Sequence, residues 1–85
     1  MAERVKVYST TFCAYCTAAK NLLRRRGIPY EEIDVTDDDE KRDWLVKAAG
    51  GRRTVPVIFI DEKAVGGYQE LAALDNSGGL KTLLA

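Results

Sequence analysis

The two cysteines of the chain stand three positions apart, in Cys13-Ala14-Tyr15-Cys16, shortly after the apolar run Val5 to Tyr8. That run is typical of a strand, and the residues after the pair have the apolar spacing of a helix, so both sulfurs are expected at a strand-to-helix turn. The start of a helix stabilises a thiolate, and a cysteine one turn later lies on nearly the same face. The spacing therefore predicts thiol redox chemistry, in a fold that places a helix directly after its first strand.

Length and charge narrow the possible functions. The 85 residues, 46% of them hydrophobic, suffice for one core, so we expect a single domain over residues 1–85. Thirteen basic residues balance thirteen acidic ones, which argues against nucleic acid or an anionic membrane as the partner. The sequence has no apolar stretch near the roughly 20 residues of a membrane span and no signal-peptide pattern at Met-Ala-Glu-Arg, so we expect a cytoplasmic protein.

Two other uses of a cysteine pair suit this sequence less well. Structural disulfides are rare in the cytoplasm, and in the loop-entropy model a loop this short stabilises a fold by only roughly 2 kcal/mol. A zinc site needs four ligands, whereas the chain has two cysteines and no histidine. A transient, catalytic disulfide is the better interpretation, and we expect no resident metal.

Apolar periodicity predicts an α/β fold with elements in the order βαβαββα. Pro56 lacks an N–H, so it belongs at the beginning of its strand or beside an irregularity, and its peptide bond is a candidate for the cis form. The predicted strands are 5–8, 30–35, 54–60 and 64–65, and the predicted helices are 14–26, one that includes Trp44, Leu45 and Ala48, 68–75, and a short final turn with Leu80, Leu83 and Leu84.

Three local patterns have structural interpretations. The run Arg24-Arg25-Arg26 before Gly27 suits a helix end, with cations at the negative pole and a left-handed cap, better than a nucleic-acid patch. Thr36 with Asp39 three residues later predicts a capping box, so the acidic run there favours the helix start rather than a bound cation. Trp44 has the spacing of a core residue.

Three motifs together resemble the glutaredoxin family: C-A-Y-C after the first strand, T-V-P opening the third, and G-G-Y-Q-E-L after the fourth. They follow the family's order and spacing, and the similarity covers nearly the whole chain. The resemblance implies a thioredoxin-like fold, a four-stranded mixed sheet flanked by helices on both faces. It also implies glutathione-dependent thiol-disulfide exchange with glutathionylated or disulfide-bonded proteins.

The two cysteines are expected to have unequal roles. Cys13 lies where the helix N–H groups are unpaired, so its thiol pKa should be lowered and it should act as the nucleophile. Cys16 lies one turn inside the helix and should be the resolving thiol. Backbone N–H groups of Tyr15 and Cys16 are the expected donors to the Cys13 thiolate.

By the same resemblance, glutathione has a defined set of contacts. The backbone of Val55 before Pro56 would pair with the cysteinyl unit, the N–H groups of Tyr68 and Gln69 would receive the γ-glutamyl carboxylate, and Arg52 would face the glycyl end. The expected set is Tyr15, Arg52, Thr54, Val55, Pro56, Gly67, Tyr68 and Gln69.

The chain departs from the family pattern at three positions near the site. Ala14 replaces the usual proline, Thr10 a common lysine, and Gln69 the usual acidic residue. A cluster carrier is therefore an alternative, in which Cys13 from each of two subunits and two glutathiones hold a [2Fe-2S] centre. Without a cluster we expect a monomer. A thioredoxin-like reductant served by a flavoprotein is the other alternative, and T-V-P with G-G-Y argues against it.

Overall fold

The computed structural model describes residues 4–51 and 55–84. Its strands are β1 (Val5–Ser9), β2 (Glu31–Asp34), β3 (Val57–Ile60) and β4 (Lys63–Gly66). Its helices are α1 (Ala14–Arg25), α2 (Asp39–Ala48), α3 (Tyr68–Asn76) and α4 (Gly79–Leu84). None of these helices is long and apolar enough to cross a membrane.

The four strands form one mixed sheet, as the resemblance implied, and their spatial order is β2-β1-β3-β4. β1 pairs parallel with β2 and antiparallel with β3, and β3 pairs antiparallel with β4. In this register Tyr8 lies opposite Val57, so the end of β1 and the beginning of β3 share one edge of the sheet. The cysteine pair that follows β1 and the proline that precedes β3 are brought together for this reason.

Helices cover both faces of the sheet. Alternate residues of a strand point to opposite faces, so Val5 and Val7 face one side and Tyr8 the other. The first core contains residues of β1 and β3 with α1, α3 and α4: Val5, Val7, Ala19, Leu22, Leu23, Ile58, Ile60, Leu71 and Leu80. The second contains residues of the same two strands with α2 and the residue directly after β2: Tyr8, Val35, Leu45, Val57 and Phe59.

Most predicted boundaries agree with the structure to within one or two residues. α1 ends one residue earlier than predicted, and Gly27 after it has the left-handed φ of +68° that favours glycine. Pro56 directly precedes β3, and the Val55-Pro56 peptide bond is cis. The predicted start of that strand at Thr54 lies outside the described residues.

Two local predictions on the α2 side were wrong. The N-cap of α2 is Asp38, whose carboxylate accepts from the Lys41 N–H at 2.9 Å, so Thr36 does not cap this helix. A carboxylate at this position also suits the positive pole of the helix. Trp44 is half exposed rather than buried, because α2 turns Leu45 to the sheet and leaves the indole ring at the border of the second core. Its ring packs beside Tyr8 at a centroid distance of 5.6 Å.

Candidate active site

Cys13 is the N-cap residue of α1, with an extended backbone at φ −152° and ψ 107°. Its Sγ accepts a hydrogen bond from the Cys16 N–H at 3.1 Å, in the place where the oxygen of a serine or aspartate cap would lie. Cys13 and Cys16 are joined by a disulfide, and their Cα atoms are 5.2 Å apart. The N–H bond and the positive helix end would both favour the thiolate form of Cys13 after reduction.

The two sulfurs differ in exposure, in keeping with the unequal roles expected of them. Cys16 is 1% exposed and shares the buried stripe of α1 with Ala19 and Leu22, at intervals of three residues. Cys13 is partly exposed, since it precedes the helix and does not belong to that stripe. A substrate can therefore reach Cys13, whereas Cys16 is reached through Cys13.

The segment before β3 lies against the exposed sulfur. The carbonyl oxygen of Val55 is 3.8 Å from Cys13 Sγ, across 42 positions of sequence. Pro56 is buried beside it. The extended backbone at Val55 is thus placed next to the reacting atom, where a peptide-like ligand can pair with it.

The N-terminus of α3 forms the other border of the site. Its N-cap, Gly67, has no side chain to bond the first helical N–H groups, and its own N–H donates to Glu70 Oε1 at 2.8 Å. The N–H groups of Tyr68 and Gln69 have no acceptor within the helix, so they are available to an anion. The rings of Tyr68 and Tyr15 lie 6.1 Å apart, which places this helix end next to the cysteine helix.

Gly66 is required for this arrangement. Its φ is +129°, and a Cβ built on it would lie 2.6 Å from Glu70 Oε1. Any side chain there would displace the carboxylate that holds the Gly67 N–H.

Six of the eight expected glutathione contacts belong to the described part of the chain. Gln69 is exposed in the first turn of α3. Arg52 and Thr54 lie outside the described residues. Val55 lies against the disulfide and Tyr68 packs against Tyr15 between the two cysteines, while Pro56 and Gly67 are their neighbours in the chain.

A bridge under the cysteine loop was missed by the sequence analysis. The Thr11 N–H donates to Thr36 Oγ1 at 2.8 Å, and the Thr36 N–H donates to Asp34 Oδ1 at 2.8 Å. Hydrogen bonds from the Thr36 hydroxyl and backbone N–H hold the pKa of Asp34 below its ordinary value. We call Thr11, Asp34 and Thr36 the loop bridge. The only signal in the sequence was a threonine directly after a strand, which equally fits a helix cap.

Metal binding is not indicated by side-chain clusters. Within residues 4–51 and 55–84, no group of three or more histidine, cysteine or acidic side chains is placed to hold a metal ion. A [2Fe-2S] centre shared by two subunits would draw only Cys13 from each, so that alternative stays a prediction.

The disulfide joins the N-cap residue of α1 to a cysteine in its first turn, and the partly exposed sulfur of Cys13 is open to attack by a thiol. On a four-stranded mixed sheet with a proline beside the exposed sulfur, this defines a thiol-disulfide oxidoreductase of thioredoxin-like fold.

Comparison with known proteins specifies the class further. The glutaredoxin family model matches residues 5–65. Glutaredoxin 3 of Escherichia coli strain K12 is 42% identical over 80 residues, covering 94% of this chain and 95% of the relative. A crystal structure titled as a complex of buckwheat glutaredoxin with glutathione superposes with a TM-score of 0.89 at 30% identity, covering 96% of this chain and 76% of that one. The chain belongs to the glutaredoxin family.

Proposed function

We propose that this protein is a glutathione-dependent oxidoreductase that reduces protein-glutathione mixed disulfides and protein disulfides through Cys13. The observation that carries the proposal is the meeting of three distant segments at one exposed sulfur. Val55 O lies 3.8 Å from Cys13 Sγ, and Tyr68 at the start of α3 packs beside Tyr15. An extended backbone and a helix N-terminus on either side of a thiolate suit a small peptide with a carboxylate at its end.

With a glutathionylated protein, the Cys13 thiolate attacks the glutathione sulfur. The new bond joins that sulfur to Cys13 Sγ, the original S–S bond breaks, and the protein thiolate leaves with the electron pair and takes a proton from solvent. A second glutathione, as its thiolate, then attacks the glutathione sulfur held on Cys13. Oxidised glutathione leaves and the Cys13 thiolate is restored.

With a protein disulfide, Cys16 takes part. Cys13 Sγ bonds one substrate sulfur and the other substrate sulfur leaves as a thiolate. Cys16 then attacks Cys13 Sγ, which releases the reduced protein and forms the disulfide seen in the structure. Two glutathione molecules reduce this disulfide in turn and leave as oxidised glutathione.

In the proposed glutathione site, Val55 before the cis-proline pairs with the cysteinyl unit, and the N–H groups of Tyr68 and Gln69 bind the γ-glutamyl carboxylate. The open N-terminus of α3 supports this, because Gly67 leaves those donors uncapped. Tyr15 would contact the ligand from α1. Arg52 and Thr54 belong to the proposed site on the strength of the motif T-V-P alone.

Serine substitutions test the roles of the two sulfurs. Cys13→Ser should reduce deglutathionylation to the rate of the uncatalysed exchange, because no thiolate remains at the accessible position. Cys16→Ser should keep deglutathionylation and lose the reduction of protein disulfides. A Cys13→Ser protein that keeps its activity would contradict the proposed nucleophile.

The source of electrons is tested by coupled assays. Turnover with glutathione, glutathione reductase and NADPH is expected, and turnover with thioredoxin reductase alone is not. Turnover with thioredoxin reductase and none with glutathione would instead indicate a thioredoxin-like reductant that receives its electrons from a flavoprotein.

Arg52→Glu tests the proposed glycyl contact. Reversing the charge should raise the KM for glutathione several-fold with less effect on kcat, because the carboxylate is bound equally in the ground and transition states. Arg53→Glu makes the same charge change one residue away and should have the smaller effect. Equal effects would indicate a general charge contribution and remove Arg52 from the site.

A further inference from the structure

The side chain of Phe12, directly before Cys13, is 96% exposed. Tyr15, two residues after Cys13, is 62% exposed, and within the part of the chain that the structure describes these are the two most exposed large hydrophobic residues. Isolated apolar side chains on a surface are ordinary. Two of them on either side of a reactive cysteine in the sequence lie near the point where a substrate must arrive.

Packing within the fold does not account for Phe12. At 96% exposure its ring lies almost entirely in water, so the ring adds no buried apolar area to either core. Tyr15 differs, because its ring lies beside that of Tyr68 and it already has a place in the proposed glutathione site. Phe12 therefore gains buried area only from another molecule that contacts its ring.

The segment that carries Phe12 is uncharged. From Tyr8 to Ala19 the sequence contains no acidic or basic residue. The segment itself therefore offers a partner apolar contact and no charged side chain, and next to Phe12 the Thr11 hydroxyl donates to the carboxylate of Asp34.

A mixed disulfide between Cys13 and a substrate cysteine brings the substrate close to Phe12. A disulfide holds its two Cα atoms roughly 4.4–6.8 Å apart, and the Cα atom of Phe12 is about 3.8 Å from that of Cys13. When Cys13 forms a mixed disulfide with a substrate protein, side chains next to the substrate cysteine come within reach of the Phe12 ring. The contact exists only while the substrate is engaged.

We propose that Phe12 determines specificity towards protein disulfides, favouring substrates that carry a large apolar side chain next to the reacting cysteine. The inference rests on the proposed function for the role of Cys13 as nucleophile, and it does not depend on glutathione as the reductant. In the step concerned, Cys13 Sγ bonds the substrate sulfur beside the apolar residue, and the second substrate sulfur leaves as a thiolate and is protonated. Cys16 then displaces the substrate as a dithiol.

A single-turnover measurement without glutathione tests this contact. The prereduced protein is mixed with either of two oxidised peptides, each with one intramolecular disulfide, that differ only in phenylalanine or serine beside the cysteines. Peptide reduction is followed by mass spectrometry after acid quenching, and each rate is divided by the rate with dithiothreitol. We expect about a tenfold preference for the phenylalanine peptide, equivalent to about 1.4 kcal/mol. In Phe12→Ser the ratio should fall to about one.

Two variants serve as controls. Phe12→Leu keeps a large apolar side chain and should keep most of the preference. Leu83→Ser removes another exposed apolar side chain, on α4, and should leave the ratio unchanged. A wild-type ratio near one, or an unchanged preference in Phe12→Ser, would overturn the proposal.

A different measurement tests the glutathione dependence in the proposed function. If glutathione does not reduce the Cys13–Cys16 disulfide that these turnovers produce, glutathione dependence is wrong, whereas the peptide ratio still reports on Phe12.

Discussion

Ala14 lies between the two cysteines, where the family motif usually has proline. It is the first residue of α1, a position where the backbone N–H has no acceptor within the helix. The preceding residue, Cys13, has the extended backbone that proline requires before it. The hydrogen bond to Cys13 Sγ comes from Cys16, so it does not depend on the N–H of residue 14.

We therefore expect Ala14→Pro to stabilise the protein, by about 0.4–1 kcal/mol, because proline restricts the unfolded chain at a place whose native conformation it can adopt. Urea unfolding of the two proteins measures the change. Ala18→Pro, in the interior of the same helix, should instead destabilise by about 3 kcal/mol or more. A loss of stability in Ala14→Pro would show that the N–H at this position is needed.

Cys13 and Cys16 are the same residue type but are expected to have different roles, as nucleophile and resolving thiol, because they occupy different positions relative to α1. The sequence could rank the two thiols because helix geometry distinguishes a residue before the first turn from one within it. The measure that separates them, the 1% exposure of Cys16, arises from packing of α1 against the sheet. Ala19 and Leu22 lie on the same buried stripe as Cys16, which the helical position alone did not establish.

At the scale of elements, the hydrogen bonds of the loop bridge connect the turn before α1 with the turn after β2. Thr36 Oγ1 accepts from the Thr11 N–H at 2.8 Å, one residue before the exposed Phe12 and two before Cys13. Thr36→Val removes this acceptor and should speed amide hydrogen exchange at Thr11, with a stability loss of about 0.5–1.5 kcal/mol. Thr82→Val, which removes a threonine hydroxyl bonded to Gly78 O, should leave exchange at Thr11 unchanged. Unaltered exchange at Thr11 in Thr36→Val would contradict the bridge.

The loop bridge also gives a prediction for pH. Hydrogen bonds from Thr36 lower the pKa of Asp34 in the folded protein, so its carboxylate stabilises the fold above the unfolded-state pKa of about 3.9. That contribution is lost as the pH falls through the lower, folded-state value. Asp34→Asn does not titrate, so its urea midpoint should fall less than that of the wild type between neutral pH and acid.

Part of the acid sensitivity should persist in Asp34→Asn. The pKa of Glu32 is lowered mainly by its bond with Lys20, and that of Asp61 mainly by its bond with Arg4. Asp43→Asn removes an exposed carboxylate on α2 and provides the control for loss of one negative charge. If both variants show the same pH dependence, the bond between Asp34 and Thr36 does not contribute.

At the scale of the whole molecule, the sequence predicted the order of strands and helices along the chain, but few of the contacts between residues far apart in sequence. Apolar periodicity identified the strands and helices because burial of one face leaves a period of two or 3.6 in the chain. Thr36 was misassigned because a threonine after a strand can bond either a helix N–H or a distant loop, and only the tertiary structure decides which. The approach of Val55 to Cys13 likewise depends on the register of β1 with β3, across 42 residues.

Within the described part of the chain, two Arg-Asp pairs join segments that are far apart in sequence, and they should differ in their contribution to stability. Arg26, after α1, bonds both carboxylate oxygens of Asp75 in α3 at 2.9 Å, and the Asp75 side chain is only 13% exposed. This pair connects the two helices whose N-termini border the site. Arg4 and Asp61 form a similar pair, at 2.8 and 2.7 Å, but both side chains are about half exposed.

Arg26→Gln leaves a largely buried carboxylate without its cation, so we expect a loss of about 1–3 kcal/mol in the free energy of unfolding. Arg4→Gln should cost less, although it also removes a hydrogen bond to the Leu83 carbonyl oxygen, because water replaces both lost partners at this exposed position. Adding Asp75→Asn to Arg26→Gln should restore part of the stability, since it removes the unpaired charge. Urea unfolding of the three variants measures these differences. Equal losses in the two arginine variants would show that burial of Asp75 does not set the strength of the pair.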